Sequence, residues 1–151
     1  MKDAYGGIVN FVFLTIFLMV IIGFLALVVS YTKAFRMKDA IISVIEEYEG
    51  TGCYPESPLS PVTTTSQSAC RMKIKEKAKE LAYNPPLLSC SGQNVYKADG
   101  IYCYSIEKKS GNKAVITIIT QVDMNFPIIE KIMGFRFFQV VGDTRTLNLQ
   151  S

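Results

Sequence analysis

The sequence predicts an α+β protein in which a single N-terminal transmembrane helix continues into a long amphipathic helix, packed by a small antiparallel β-sheet head. Three patterns predict this fold: an uncharged apolar run from Ala4 to Thr32, an amphipathic stretch from Lys33 to Glu49, and period-two alternation after Val95. No proline occurs between Gly6 and Gly50, so one helix can contain the first two patterns. We expect a short leader-like segment, the transmembrane helix, its amphipathic continuation and an extracytoplasmic, disulfide-containing β-rich head, at residues 1–7, 8–32, 33–49 and 50–151.

The first apolar run is long enough to cross a membrane. Between Phe11 and Val29 only Thr15 is polar, and the run reaches the ~20 residues that cross ~30 Å of hydrocarbon. A cleaved secretory signal is the alternative, with Val28 and Ser30 as the small residues before the cut. The apolar core of a signal is usually about 7–15 residues long, shorter than this run. We therefore predict a retained single-pass span.

Helical periodicity continues beyond the predicted span. Five apolar side chains recur there at spacings of three and four and so share one face: Met37, Ile41, Val44, Ile45 and Tyr48. A helix from Ile8 to Glu49 would be ~63 Å long, roughly twice what a bilayer needs, so its outer half must bury this face against other residues. Gly50 is predicted to end the helix as a left-handed C-cap. We expect the sheet residues Ile116, Ile118 and Val122 to complete the core.

The chain changes composition after this helix. Residues between Cys53 and Cys70 are rich in proline, serine and threonine, which predicts a loop. A short helix is predicted from Arg71 to Tyr83, ended by the Asn-Pro-Pro that follows. Its apolar residues share a face: Ile74, Ala78, Leu81 and Ala82. Its lysines are interpreted as a solvated face, and binding of anionic lipid or wall polymer is the alternative.

Strand patterns fill the last third of the chain. Ile101 to Glu107 and Ala114 to Met124 are rich in β-branched and aromatic residues, and the Lys-Ser-Gly-Asn between them is a hairpin turn signal. The second strand alternates, which predicts one buried face: Ile116, Ile118, Val122 and Met124 against Thr117, Gln121 and Asp123. A last strand is expected within residues 135–149, with Gly142 as a bulge, whereas residues 125–134 fit a strand, a short helix or a crossing loop.

The four cysteines all lie beyond the predicted span. They fit two disulfides and therefore indicate an oxidising compartment. Of the three possible pairings we favour Cys53 with Cys70 and Cys90 with Cys103, because each closes a short loop that no other feature tethers. A zinc site is the alternative, although the chain has no histidine and no C-x-x-C pair.

Charges beside the span and the cysteines favour opposite orientations. Lys33, Arg36 and Lys38 follow the span, whereas Lys2 and the α-amino group precede it, which weakly favours a cytoplasmic C-terminus. The cysteines favour the opposite side. Because long domains are translocated largely regardless of charge, we follow the cysteines. We expect a single-pass protein of the cell membrane with its C-terminal domain extracytoplasmic.

The entry "GGIVNFVFLT", the long helix, and the closing stretch "FPIIEKIMGFRFFQVVGDTRT" together resemble the TadE-like family, pilin-related pseudopilins of tight-adherence pili. Asn10 stands where that family is expected to have a glutamate. The resemblance implies a pilin-like structural subunit or assembly factor of an envelope pilus or related secretion apparatus. It further implies removal of a short leader near Gly6 or Gly7, with other pilin-like subunits or assembly proteins as partners.

Helix association in lipid depends on close packing and on polar contacts. Small and polar residues of the apolar run are therefore the candidates for contacts between helices: Gly6, Gly7, Asn10 and Gly23. Asn10 has a second interpretation, as a residue that merely lies at the membrane interface. The packing prediction therefore concerns the helix rather than the head.

Several function classes lack the residues they need. Histidine and tryptophan are absent, and the sequence has neither a phosphate-binding glycine loop nor a metal-ligand spacing. We therefore expect no enzyme activity, no cofactor, no metal and no small-molecule substrate. A net charge of +3 without a basic aromatic patch argues against nucleic-acid binding. Tyr102 and Tyr104 are interpreted as sheet packing rather than a stacking surface. A membrane-anchored extracytoplasmic module that binds a ligand or a neighbouring protein remains the alternative function.

Overall fold

The computed structural model describes residues 2–50, 53, 64–85, 88–92, 94–111, 113–123 and 137–148. The structure contains a long apolar N-terminal helix and a small antiparallel sheet, which confirms the α+β layout. The helices and strands within the described residues are α1 (Lys2–Glu47), α2 (Thr64–Glu80), β1 (Val95–Ala98), β2 (Tyr102–Lys109), β3 (Lys113–Asp123), β4 (Phe137–Asp143) and β5 (Leu147–Asn148).

Helix α1 runs without interruption for 46 residues, about 69 Å at 1.5 Å per residue. It is mostly exposed from Gly7 to Lys33, whereas Ala34, Met37 and Ile41 are fully buried. Among the described residues it is the one helix that is long and apolar enough to cross a membrane. No break in the helix separates its exposed part from its buried part.

Helix α1 ends in the hydrogen-bond pattern of a Schellman motif. The Gly50 N–H donates to the Ile45 carbonyl at 2.8 Å, and the Glu49 N–H donates to the Glu46 carbonyl at 3.3 Å. Glu49 takes the first left-handed position, at φ 49°, and Gly50 follows at φ 74°. Gly50 is left-handed as predicted, but Glu49 before it is left-handed too, so two successive residues end the helix.

Helix α2 is longer than predicted, because it begins at Thr64 rather than near Arg71 and so takes in part of the expected loop. It ends like α1: the Tyr83 N–H donates to the Ala78 carbonyl at 2.9 Å, and Ala82 adopts φ 47°. Ile74 and Ala78 are buried as predicted. The placement of Ala82 on the same buried face was wrong, because Ala82 has left the helix and is exposed.

The strands form one antiparallel sheet in the order β1-β2-β3-β4, with β5 pairing the start of β3. The hairpin between β2 and β3 closes at the pair of Lys109 and Lys113, where the sequence predicted its turn. Gly111 in this turn has φ 76°, which glycine adopts without steric cost. Met124 and residues 125–134 lie outside the described residues.

The prediction of a bulge at Gly142 was wrong. Gly142 pairs with Ile118, and the register between β3 and β4 is continuous on both sides of that pair. A Cβ atom at Gly142 would lie 2.7 Å from Lys38 Cδ and 3.0 Å from Ile42 Cδ1. A side chain at residue 142 would therefore have to displace the ends of the Lys38 and Ile42 side chains, because α1 passes close over β4 at this point.

The hydrophobic core lies between the second half of α1 and one face of the sheet. Met37, Ile41 and Ile45 have no exposed surface, and Val44 is 4% exposed. The sheet residues that were expected to meet them are buried in the same cluster: Ile116, Ile118 and Val122. Tyr48 is only partly buried at the edge of this cluster, because it lies in the turn after α1.

Two polar residues of β3 are buried on opposite faces of the sheet. Thr120 lies on the core face, where its hydroxyl donates to the Ala34 carbonyl at 3.1 Å. The other face was predicted to be solvated, and this was wrong at Gln121, which is 2% exposed. The Gln121 amide exchanges hydrogen bonds with the backbone of Ser89, at 3.1 and 2.5 Å. The segment after α2 therefore covers this end of the second face.

Candidate functional site

The apolar half of α1, defined as residues 7–33, is the largest exposed apolar surface among the described residues. Phe11, Phe13 and Met19 are 70–71% exposed and point to three different sides of the helix. A helix that is apolar on all sides is typical of burial in a membrane or among other helices. Its backbone hydrogen bonds are satisfied internally, as a lipid environment requires. The apolar half is therefore the candidate functional surface.

Hydroxyl groups in the apolar half are mostly satisfied by the helix itself. The Thr15 hydroxyl donates to the Phe11 carbonyl at 2.9 Å, and the Thr32 hydroxyl donates to the Val28 carbonyl at 2.8 Å. These bonds leave no hydroxyl donor facing outward at either position, which suits an apolar medium. Ser30 makes no such bond among the described residues.

The predicted helix-packing residues lie on different faces of α1. Gly23 is half-buried and shares the 3/4 spacing of the face that continues through Ser30, Ala34 and Met37 into the core. Asn10 is exposed and points about 140° away from Gly23 around the helix axis. The structure therefore does not bring Asn10 and Gly23 into one contact stripe.

The glycines at the predicted cleavage position lie within α1. Gly6 and Gly7 are both helical, and a Cβ atom added at Gly7 would meet nothing within 4 Å. Packing within the chain therefore does not require glycine at residue 7.

A belt of aromatic and basic residues marks the end of the apolar half. The Tyr31 and Phe35 rings stack with centroids 6.5 Å apart, and Lys38 Nζ lies 4.1 Å from the Phe35 centroid. Lys33 and Arg36 are exposed on the same stretch. Tyrosine is enriched at membrane interfaces, and lysine and arginine near the end of a span keep their charged ends in water. The belt indicates where α1 would leave a bilayer.

We define the head as residues 34–50 together with the described residues from Cys53 onward. A cavity of about 170 Å³ lies at the level of the belt, between the apolar half of α1 and the head. Ser30 and Lys33 of α1 line one side, and Asn84, just after α2, lines another. The Tyr83 hydroxyl donates to the Gln121 carbonyl at 2.8 Å and accepts from the Gln121 N–H at 2.9 Å. Local periodicity gave no signal for this cavity, because the other walls, at Asn84 and at Gln121, are 51 and 88 residues beyond Lys33 in the chain.

Basic residues of α2 are used mainly within the head. Arg71 forms two hydrogen bonds with the Asp99 carboxylate, and Lys75 Nζ lies 3.2 Å from the same group. Lys73 pairs with Glu47 of α1 at 2.7 Å. These contacts favour the interpretation of the lysines as a structural and solvated face over a polymer-binding surface.

The ion pair at Asp99 should make the stability of the head depend on pH. Hydrogen bonds from Arg71 are the main cause that lowers the pKa of Asp99 below its ordinary value of 3.8. The folded state holds the charged form more strongly, so this stabilisation is present above about pH 4 and is lost as the pH falls through the lowered pKa. Asp99→Asn should weaken the head at neutral pH by roughly 1 kcal/mol and remove this contribution to the acid dependence.

The measurement is denaturant unfolding between about pH 2 and pH 7, followed by tyrosine fluorescence. Asparagine tolerates the left-handed φ of 50° at residue 99, so the substitution changes the charge with little backbone strain. The matched control is Glu107→Gln on the exposed end of β2, which should keep the full pH dependence. An unchanged acid transition in Asp99→Asn would contradict this assignment.

Both disulfides are present in the pairing that the loop-closure argument favoured, Cys53 with Cys70 and Cys90 with Cys103. Among the described residues no group of three or more metal-ligating side chains occurs. Tyr102 and Tyr104 are buried, with ring centroids 6.3 Å apart, and so pack in the sheet. Burial is the main cause that raises the pKa of Tyr102.

No family model, curated protein or solved structure matches the chain. The resemblance to TadE-like proteins therefore stays a hypothesis that depends on the residues themselves.

Proposed function

We propose that the protein is a membrane-anchored structural subunit or assembly factor, of the minor pilin or pseudopilin kind, in an envelope pilus or related secretion apparatus. One observation carries the proposal: α1 is apolar on all sides for about half its length and then passes, with no break, under the sheet. The apolar half spans the membrane before assembly and packs among the helices of other subunits after it.

The rigid joint between the two halves of α1 favours this function over that of a simple anchored receptor. Ala34, the first fully buried residue, follows the last residue of the apolar half directly. The head therefore follows every tilt and rotation of the apolar half. A receptor needs only a tether, for which a flexible linker suffices. A subunit that stacks its helix in a fibre needs the head held in register with the helix.

Both disulfides support an extracytoplasmic head, because such bonds persist in oxidising compartments. The exposed cations Lys33 and Arg36 favour the opposite orientation by the charge rule. That rule has little force for a domain of this length, which is translocated largely regardless of flanking charge. The proposal therefore places the C-terminal domain outside the cytoplasm.

Two variants test the proposal in the native membrane. Replacing Phe11 to Val29 by polyleucine keeps apolarity and insertion but discards the specific fit between helices. Inserting a flexible Gly-Ser linker between Lys33 and Ala34 keeps both halves but uncouples them. Each variant should lose the photo-crosslinks that a probe at residue 14 or 18 makes to neighbouring proteins, and should run as a smaller complex on a native gel.

A matched control inserts the same linker into the exposed hairpin turn at Gly111, where an added Cβ would meet nothing within 4 Å, and should leave the complex intact. Full incorporation of both the polyleucine and the linker variants would contradict the subunit function. That result would favour the membrane-anchored binding module, whose head needs neither a specific helix nor a rigid joint.

A further inference from the structure

The cavity at the junction of α1 and the head has the composition of an anion site. Ser30, Lys33 and Asn84 are polar or basic residues of its lining, and none of the described lining residues is acidic. In the described part of the chain these three side chains make no hydrogen bond or ion pair with one another or with the rest of the head. A hydroxyl, an ammonium and an amide together match the acceptor oxygens of a phosphate group.

Ser30 and Lys33 are placed for a common ligand by the helix itself. Residues three apart lie on the same face of a helix, and both of these residues line the cavity. Thr15 and Thr32 satisfy their hydroxyls on their own helix, whereas Ser30 does not. The Ser30 hydroxyl is therefore available to a ligand in the cavity.

Hydrogen bonds hold the wall of the cavity opposite α1 in place. The Tyr83 hydroxyl both donates to and accepts from the Gln121 backbone. The Gln121 side chain is in turn bonded to Ser89. Asn84 follows Tyr83 directly and is exposed at the rim. The cavity volume, about 170 Å³, corresponds to roughly five or six water-sized groups.

We propose that this cavity binds the phosphate group of a membrane phospholipid headgroup. The inference depends on the proposed membrane anchoring, because that anchoring places the cavity at the bilayer surface. Lys33 is the first charged residue after the uncharged run, and the belt of Tyr31 and Phe35 flanks it. A lipid phosphate is therefore the anion present at this level at high local concentration. Bound headgroup would hold the head at a fixed height and tilt above the membrane.

The test uses the full chain in nanodiscs that contain equal amounts of phosphatidylglycerol and phosphatidylcholine. Native mass spectrometry counts the phospholipids that stay bound after release from the disc. We expect Lys33→Gln to lower the ratio of phospholipid-bound to lipid-free protein about tenfold, as the loss of one charge-assisted hydrogen bond predicts. Ser30→Ala should lower it less. Both residues lie outside the core, so the head should unfold at the same denaturant concentration as the native protein.

The matched control is Lys108→Gln, which removes the same charge from the exposed end of β2, at the opposite end of the sheet from Val122. It should retain phospholipid like the native protein. Equal retention by Lys33→Gln and Lys108→Gln would overturn the lipid site while leaving membrane anchoring intact. Binding of inorganic phosphate without any retained phospholipid would also overturn the lipid assignment. Failure to enter the nanodisc would contradict the anchoring and the lipid site together.

Discussion

Ile41→Ala is expected to lower the free energy of unfolding of the head by about 2–5 kcal/mol. Ile41 has no exposed surface and lies in α1 beneath the sheet, in the same cluster as Ile116 and Ile118. The substitution removes three carbons from a close-packed site and leaves a cavity that the surrounding structure relaxes to fill only in part. Denaturant unfolding in a mild detergent, followed by tyrosine fluorescence, measures the loss.

The matched control is the same substitution in the same helix, Ile22→Ala. Ile22 is 65% exposed in the apolar half and contacts none of the core. Its removal should leave the unfolding of the head unchanged, while membrane insertion tolerates the loss of one apolar side chain. Equal stability of Ile41→Ala and the native head would mean that α1 does not pack under the sheet.

Local periodicity predicted the parts of this fold that depend on local patterns. The 3/4 spacing of Met37, Ile41 and Ile45 identified the buried face of α1, and alternation identified the buried face of β3. The turn signal between β2 and β3 located the hairpin, because its glycine meets a left-handed backbone requirement that few residues satisfy. Each of these signals lies within a window shorter than twenty residues.

Contacts between distant segments escaped the same reasoning. Gly142 was interpreted as a bulge because a glycine inside a strand often marks one, yet its register is continuous and the Lys38 side chain of another element packs against it. The alternation of β3 predicted a solvent-facing Gln121, but the segment around Ser89 covers this side chain. The cavity beside Lys33 likewise depends on where Asn84 returns to α1. A one-dimensional pattern carries no record of which segment crosses which.

The second large effect is expected from the disulfide between Cys53 and Cys70. This bond joins Cys53, six residues after the end of α1 at Glu47, to α2, and both of its cysteines are fully buried. Closing a loop of 17 residues stabilises by about 3 kcal/mol in the chain-entropy model, so the double variant Cys53→Ala, Cys70→Ala should lose about 2–5 kcal/mol. Denaturant unfolding of the oxidised protein measures the difference.

The matched comparison is the double variant Cys90→Ala, Cys103→Ala, which opens a loop of 13 residues. By the same model it should lose about the same free energy of unfolding. Protein alkylated in intact cells before lysis should carry no modified cysteine, and reduction should expose all four. The absence of free thiols supports both the bonds and the extracytoplasmic placement of the head, because reducing compartments keep such cysteines as thiols. Four alkylated cysteines in the native protein would contradict both conclusions. Loss of stability without free thiols in the native protein would instead show that the bonds form in the cell and that the head depends on them.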